Sequence, residues 1–106
     1  MPFTVIAAYR PKPGHDDILV ALVREHLPVL RRAGLATETP PVVLRAADGT
    51  LLEIVDWTSE QAVARAHEDP QILALWERFG AACDYVKLAE LPESTKLFAE
   101  FQRIDV

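Results

Sequence analysis

The stretch that most constrains this chain runs from Val42 to Phe79, VVLRAADGTLLEIVDWTSEQAVARAHEDPQILALWERF. Its first half reads as a β-hairpin. Val42–Ala46 and Leu51–Trp57 are β-branched and apolar runs with Asp48-Gly49 between them. A two-residue type I′ turn needs positive φ at both central positions, which Asp tolerates and Gly takes freely. Such a turn sets Ala47 opposite Thr50 and then pairs Ala46 with Leu51, Arg45 with Leu52, Leu44 with Glu53, Val43 with Ile54 and Val42 with Val55. The second half is helical and leaves the strand at Thr58-Ser59-Glu60-Gln61, where either hydroxyl can cap and Thr58 with Gln61 has capping-box spacing. Asp69-Pro70 offers a second cap followed by a proline at the first helical position. The spacing therefore predicts two helical segments, 59–67 and 70–81, joined at a bend, with Ile72, Leu75, Trp76, Phe79 and Cys83 as the inner stripe of the second.

The rest of the chain must pack on this strand–helix corner. Phe3–Tyr9 is apolar on both parities and reads as a strand with both faces covered; Arg10-Pro11-Lys12-Pro13-Gly14 closes it. Asp16 and Asp17 suit the first turn of a helix. Ile18, Leu19, Leu22, Val23, His26, Leu27 and Leu30 then recur at three- and four-residue spacing, an amphipathic pattern bent at Pro28. Arg31-Arg32 complement the helix dipole and Gly34 fits a left-handed cap. Leu35–Pro41 connects to the hairpin, Asp84–Glu90 reads as a fourth strand, and Leu97–Ile104 alternates enough for a short closing strand.

The order β-α-β-β-α-β with an extra C-terminal strand defines an α+β fold of the ferredoxin-like type, an antiparallel sheet covered on one face by two helices. At 106 residues the chain is one domain, 1–106, long enough to bury roughly two-thirds of its unfolded surface. The second face of such a sheet should be polar, yet Phe3–Tyr9 is not and the hairpin shows polarity only at Arg45, Glu53 and Asp56. With no residues left to cover that face, a second copy of the chain is the expected cover, in an isologous homodimer.

Composition narrows the partners. A net charge of −5, with no basic run longer than Arg31-Arg32, argues against nucleic acid. No apolar run approaches a membrane span, and Met1-Pro2-Phe3-Thr4 lacks a basic leader, so no membrane association and a cytoplasmic setting are expected. The single cysteine, Cys83, cannot form an internal disulfide and reads as a small buried hydrophobe. His15 and His26 are no metal pair, and there is no Gly-rich phosphate loop, so neither metal nor nucleotide cofactor is expected.

Several short motifs resemble those of the dimeric α+β-barrel superfamily, and within it the antibiotic-biosynthesis-monooxygenase-like (ABM) domains. They are Lys12-Pro13-Gly14 before the first helix, the hairpin ending at Trp57, Ser59-Glu60-Gln61-Ala62, and Ala66-His67-Glu68-Asp69-Pro70. The resemblance spans nearly the whole chain. It implies a homodimer with its two sheets face to face and, in each subunit, a small apolar cavity between helices and sheet. Some members of the superfamily oxidise aromatic polyketides with O₂ and no cofactor; related members degrade haem. For the second group Trp57 matches a pocket tryptophan, but the haem-ligating histidine falls near Trp76 and the pocket asparagine is missing, since the chain contains no Asn. The haem branch is therefore not expected.

The residues that can carry chemistry each have a plainer role beside the functional one. His67, at the bend before Asp69-Pro70, can take a phenolic proton from a substrate or bond a freed helix-end carbonyl. Trp57, Trp76 and Phe79 can line a pocket for an aromatic ligand or simply fill the core. Tyr9 and Tyr85, at strand ends, can orient a substrate oxygen or sit at a rim. Arg45 can stabilise developing negative charge, and in the two-residue-turn register it lies on the opposite sheet face from Glu53, each buried charge then needing a partner or a function. Two functions follow as expectations: a cofactor-independent monooxygenase acting on a small polyketide- or quinol-like aromatic, or a non-catalytic dimeric domain that binds a small apolar molecule or has its pocket filled. An open cavity of several hundred Å³ with His67 or Tyr85 on its wall separates the first from the second.

Overall fold

The hairpin turn is one residue longer than the two-residue reading. In the structure, a computed structural model that describes residues 1–106, the Gly49 N–H donates to the Ala46 carbonyl at 3.0 Å and the Ala46 N–H to the Thr50 carbonyl at 2.8 Å. Only Gly49 in this loop has positive φ, at 92°. Asp48 stays in the ordinary region, and its carboxylate accepts the Thr50 N–H at 2.9 Å. That hydrogen bond from the Thr50 backbone holds the Asp48 pKa below its usual value. The result is the three-residue loop that ends in a left-handed glycine. The pairs are consequently Arg45 with Leu51, Leu44 with Leu52, Val43 with Glu53 and Val42 with Ile54. A one-residue slip exchanges faces. Arg45 and Glu53 thus lie on the same face of the sheet, correcting the expectation that they oppose each other.

Eight regular elements follow in order: β1 Phe3–Pro11, α1 Asp16–Arg32, β2 Val42–Arg45, β3 Leu51–Trp57, α2 Glu60–Ala66, α3 Pro70–Ala82, β4 Cys83–Val86 and β5 Gln102–Ile104. The strands make one antiparallel sheet ordered β4-β1-β3-β2-β5. This is an α+β architecture with three helices, consistent with the ferredoxin-like arrangement. The helix starts follow local chemistry. Ser59 caps α2 by accepting from the Ala62 N–H at 3.1 Å, so the serine rather than Thr58 takes that position. Asp69 caps α3 through the N–H groups of Gln71 and Ile72 at 2.9 and 3.3 Å, with Pro70 leading the helix. At the far end of α1, Gly34 adopts φ 75° and the Leu35 N–H reaches back to the Leu30 carbonyl, which satisfies an otherwise orphaned carbonyl. Pro28 is accommodated within α1.

The core lies between the helices and one face of the sheet. Leu19, Leu22 and Val23 of α1 meet Leu75 and Phe79 of α3 over Tyr9, Val43 and Leu51. Beside them, Ala62, Ala66 and Ile72 pack on Val55 and Trp57. Cys83 ends the α3 stripe as the first residue of β4; its thiol donates to the Phe79 carbonyl at 3.1 Å, and burial raises its pKa to about 11.

The opposite face is partly covered by the chain itself, which corrects the expectation that no residues remain for it. After β4 the chain does not continue as a strand to Glu90. It makes two 3₁₀ turns, Leu88–Glu90 and Pro92–Thr95. These place Leu91, only 2% exposed, against Ala8, Ala46 and Leu52, and Glu93 accepts the Ala47 N–H at 2.9 Å. Prolines and Ser/Thr-rich turns favour such local loops over a ladder. The closing strand is correspondingly short: only Gln102–Ile104 pairs with β2, while Leu97 and Phe98 are 91% and 79% exposed. The far end of this face, around Ile6 at 46% exposure, is left open.

Gly49→Val should destabilise the fold by about 1–3 kcal/mol, because a β-branched residue resists the left-handed conformation. Urea unfolding of the two proteins measures this, and equal midpoints would contradict the turn described. Leu91→Ala should cost about 2–5 kcal/mol in the same unfolding measurement, because that buried side chain packs against Ala8, Ala46 and Leu52.

Candidate functional site

A cavity of about 380 Å³ opens between the sheet and the helices. Its floor comes from alternate residues of β1 and β3. Val5, Ala7 and Tyr9 pair directly with Val55, Glu53 and Leu51, and paired residues present their side chains on one face. Trp57 ends β3 at one side, Val63 and His67 approach from α2 and its end, Trp76 from α3, and Tyr85 from β4.

Glu53 is the chemical centre of this floor. It sits in the middle strand of the sheet and is 3% exposed. A carboxylate buried among apolar side chains requires partners, and two donors supply them. The Tyr9 hydroxyl donates to Glu53 Oε1 at 2.7 Å. His26 Nδ1, from the middle of α1, lies 3.0 Å from both carboxylate oxygens. The other ring nitrogen fixes the tautomer. The Trp76 indole N–H points at His26 Nε2 from 2.9 Å. An indole can only donate, so Nε2 accepts and the proton resides on Nδ1, where it is given to Glu53. A chain Trp76→His26→Glu53←Tyr9 thus joins α3, α1, β3 and β1. Burial in the first place, and then the neighbouring Glu53 charge, hold the Tyr9 pKa well above the ordinary value. The phenol is a fixed donor. Burial likewise raises the Tyr85 pKa; its hydroxyl is turned toward the Trp76 carbonyl at 3.5 Å.

The residues singled out from the sequence divide into three groups. Tyr9, Trp57, Trp76, Tyr85 and His67 meet at the cavity. His67 is exposed at the end of α2, its ring edge-on to Trp76 with centroids 4.9 Å apart, and it makes no side-chain hydrogen bond to a helix-end carbonyl. Phe79 does not line the cavity. It is buried behind the wall, backing Tyr9 and His26 at centroid distances of 5.1 and 5.2 Å. Arg45 is also absent from the site. It borders a shallow recess at the hairpin tip with Glu100, Phe101 and Gln102, because it ends β2, which β3 separates from β1. His26 and Glu53 are the polar residues of the site that the sequence reading did not assign to it, beside the apolar Val5, Ala7, Val55 and Val63. Their signal was present: each is a lone polar residue on an otherwise apolar face, His26 in the helical stripe and Glu53 in LLEIVDW. Only the correct register shows that Glu53 points at the helices.

Carboxylate, imidazole and phenol are therefore locked together at the floor of a mainly apolar cavity, while one imidazole stands free at its edge. No group of three or more His, Cys, Asp or Glu side chains is gathered for a metal ion.

Tyr9 should make the fold sensitive to alkali. Its folded pKa is raised, so its contribution is fully present below the unfolded value near 10 and is lost as pH rises from there through the folded value. Cys83 and Tyr85 act in the same direction. Thermal melts between pH 8 and 11 should show a steeper loss for the natural protein than for Tyr9→Phe. Tyr9→Phe itself should be less stable at pH 7 by about 1–3 kcal/mol, having removed one donor from a buried charge. Parallel pH profiles would contradict the bond to Glu53.

No protein-family model, curated protein or solved structure matches this chain.

Proposed function

We propose that this protein is a homodimeric, cofactor-independent oxygenase of the ABM-like type, working in the cytoplasm on a small hydroxylated aromatic held in the cavity. The observation that carries the proposal is the cavity itself: about 380 Å³, walled mainly by Val, Ala, Trp and Tyr, with both His67 and Tyr85 on its wall. That volume is in the range of small-molecule sites. The resemblance of Ser59-Glu60-Gln61-Ala62 and Ala66-His67-Glu68-Asp69-Pro70 to ABM domains supports the same reading.

The chemistry needs a base, a dry site and an electron-rich substrate. His67 has no side-chain hydrogen bond and borders the cavity, so its imidazole takes the substrate proton. The resulting anion passes one electron to O₂, the two radicals combine to form a C–O bond, and the peroxide anion takes the proton back from His67 to give the hydroperoxide. Loss of water from the hydroperoxide leaves a carbonyl. The balance is CH₂ + O₂ → C=O + H₂O, with both electron pairs drawn from the substrate. Negative charge develops most favourably beside the protonated His67 and away from Glu53, where a like charge opposes it. Trp57 and Trp76 hold the ring and exclude water.

The dimer forms through the open end of the outer sheet face. Ile6 is exposed there, Val42, Leu44 and Ile54 are half-buried, and Leu97 and Phe98 stand free in the approach to β5. A stable contact on this face should bury well over ~1,000 Å² in total. Light scattering at micromolar concentration should therefore give twice the chain mass, and a monomer mass would remove the dimer.

A second reading is favoured by one specific feature. The polar chain Trp76→His26→Glu53←Tyr9 is internally satisfied, as expected of a domain that binds a small molecule without transforming it. Oxygen uptake on a panel of anthrones and dihydroxynaphthalenes separates the two. The oxygenase reading predicts uptake that falls by about 10²–10⁴ in His67→Ala and a raised KM with little change in kcat for Trp57→Phe. Uptake unaffected by His67→Ala would take that residue out of the mechanism. Binding without uptake would leave the binding domain.

A further inference from the structure

The cavity carries one fixed charge, and it is negative. Beside two histidines, Glu53 is the only ionisable side chain other than tyrosine on its wall, and no Lys or Arg reaches it. The donors around Glu53 are already engaged within the protein. The Tyr9 O–H and the His26 Nδ1–H point at the carboxylate, and the Trp76 N–H points at His26 Nε2. What remains is acceptor capacity. Oε1 receives both Tyr9 and His26, whereas Oε2 receives His26 alone, and a carboxylate offers about four lone-pair sites. The floor therefore gives a ligand somewhere to donate a hydrogen bond and nowhere to deposit an anion.

We infer that the cavity selects ligands whose inner end donates a hydrogen bond, as a hydroxyl or an amine does, and disfavours ligands that bring a carboxylate, with Glu53 setting the choice. This rests on the reading of the cavity as a ligand site and is independent of oxygen chemistry. A hydroxyl or ammonium group gains a hydrogen bond to an ionised acceptor, which is stronger than one to a neutral acceptor. A carboxylate placed at the same point meets a like charge with no cation to offset it. Turned outward to the mouth, it avoids the repulsion but leaves the inner end of the ligand without a donor.

The test is a matched series on the natural protein at pH 7: naphthalene, 1-naphthol, 1-naphthylmethylamine and 1-naphthoate, followed by quenching of tryptophan fluorescence, since Trp57 and Trp76 border the cavity. The naphthol or the amine should bind about tenfold more tightly than naphthalene, and the stronger of the two identifies the preferred donor. Naphthoate, whose carboxylate is accommodated only when turned outward toward His67 at the rim, should bind less tightly than naphthol. In Glu53→Gln one oxygen can still receive Tyr9 and His26, and the other becomes an NH₂ donor. The advantage of naphthol should then shrink toward unity and naphthoate should gain. Tyr9→Phe removes a donor but keeps the carboxylate, so it should retain the natural preference; together with the natural-protein series it decides the matter even if Glu53→Gln does not fold. Naphthoate bound as tightly as naphthol by the natural protein overturns the inference, as does a naphthol advantage unchanged in folded Glu53→Gln. No binding by any of the four overturns it along with the ligand-site reading. The predicted order without any oxygen uptake supports the inference and removes only the oxygenase.

Discussion

The structure depends on placing a carboxylate in the middle of its central strand and keeping it partnered there. Glu53 is nearly inaccessible to water, a position that an unpaired charge does not tolerate. Its two donors come from different elements, Tyr9 from β1 and His26 from α1, and His26 is in turn held by Trp76 of α3. Removing one donor from such a buried arrangement costs on the order of 1–3 kcal/mol. The cost acts as a specification. A one-residue slip of β3 against β1 would carry Glu53 to the other face, and a rotation of α1 would withdraw the imidazole. Sheet register, helix orientation and histidine tautomer are set by one set of contacts.

The same contacts shape the cavity. Beside Glu53 the sheet presents Val5, Ala7 and Val55 to the helices, side chains too small to fill the space that Trp57, Trp76 and Tyr9 border. Phe79 closes the wall from behind by packing on both Tyr9 and His26. A tightly packed core thus abuts an unfilled, apolar volume with one acidic group on its floor. Changes to Tyr9, His26 or Glu53 therefore alter both the stability of the fold and the floor of the cavity, whereas His67 is exposed at the rim.

Much of this fold was legible in the residues because local chemistry decided it. The Ser59 and Asp69 caps, Pro70 at a helix start and Gly34 after one are short-range features that neighbours cannot easily override. The misread places were those where a tertiary contact or a single backbone bond chose between near-equal options. Asp48-Gly49 suits two turn types, and the bond from the Thr50 N–H to the Asp48 carboxylate selects the longer one. That one residue moved Arg45 onto the Glu53 face and left the position of Glu53 open until the register was known. Leu97–Ile104 alternates like a strand, yet the preceding chain is drawn over the outer sheet face by Leu91 and Glu93, and pairing begins only at Gln102. The aromatic members of the site were visible as aromatics near strand and helix ends. Its polar members, His26 and Glu53, were hidden because they are far apart in sequence and meet only across the sheet–helix interface.

The chain of hydrogen bonds through His26 can be examined at the atom on which it depends. Long-range proton–nitrogen correlation spectra of the ¹⁵N-labelled protein at pH 8 distinguish the two neutral imidazole tautomers. The account predicts that His26 carries its proton on Nδ1, given to Glu53, with Nε2 accepting from the Trp76 indole. A proton found on Nε2 would be incompatible with that indole bond and would contradict the account at its centre.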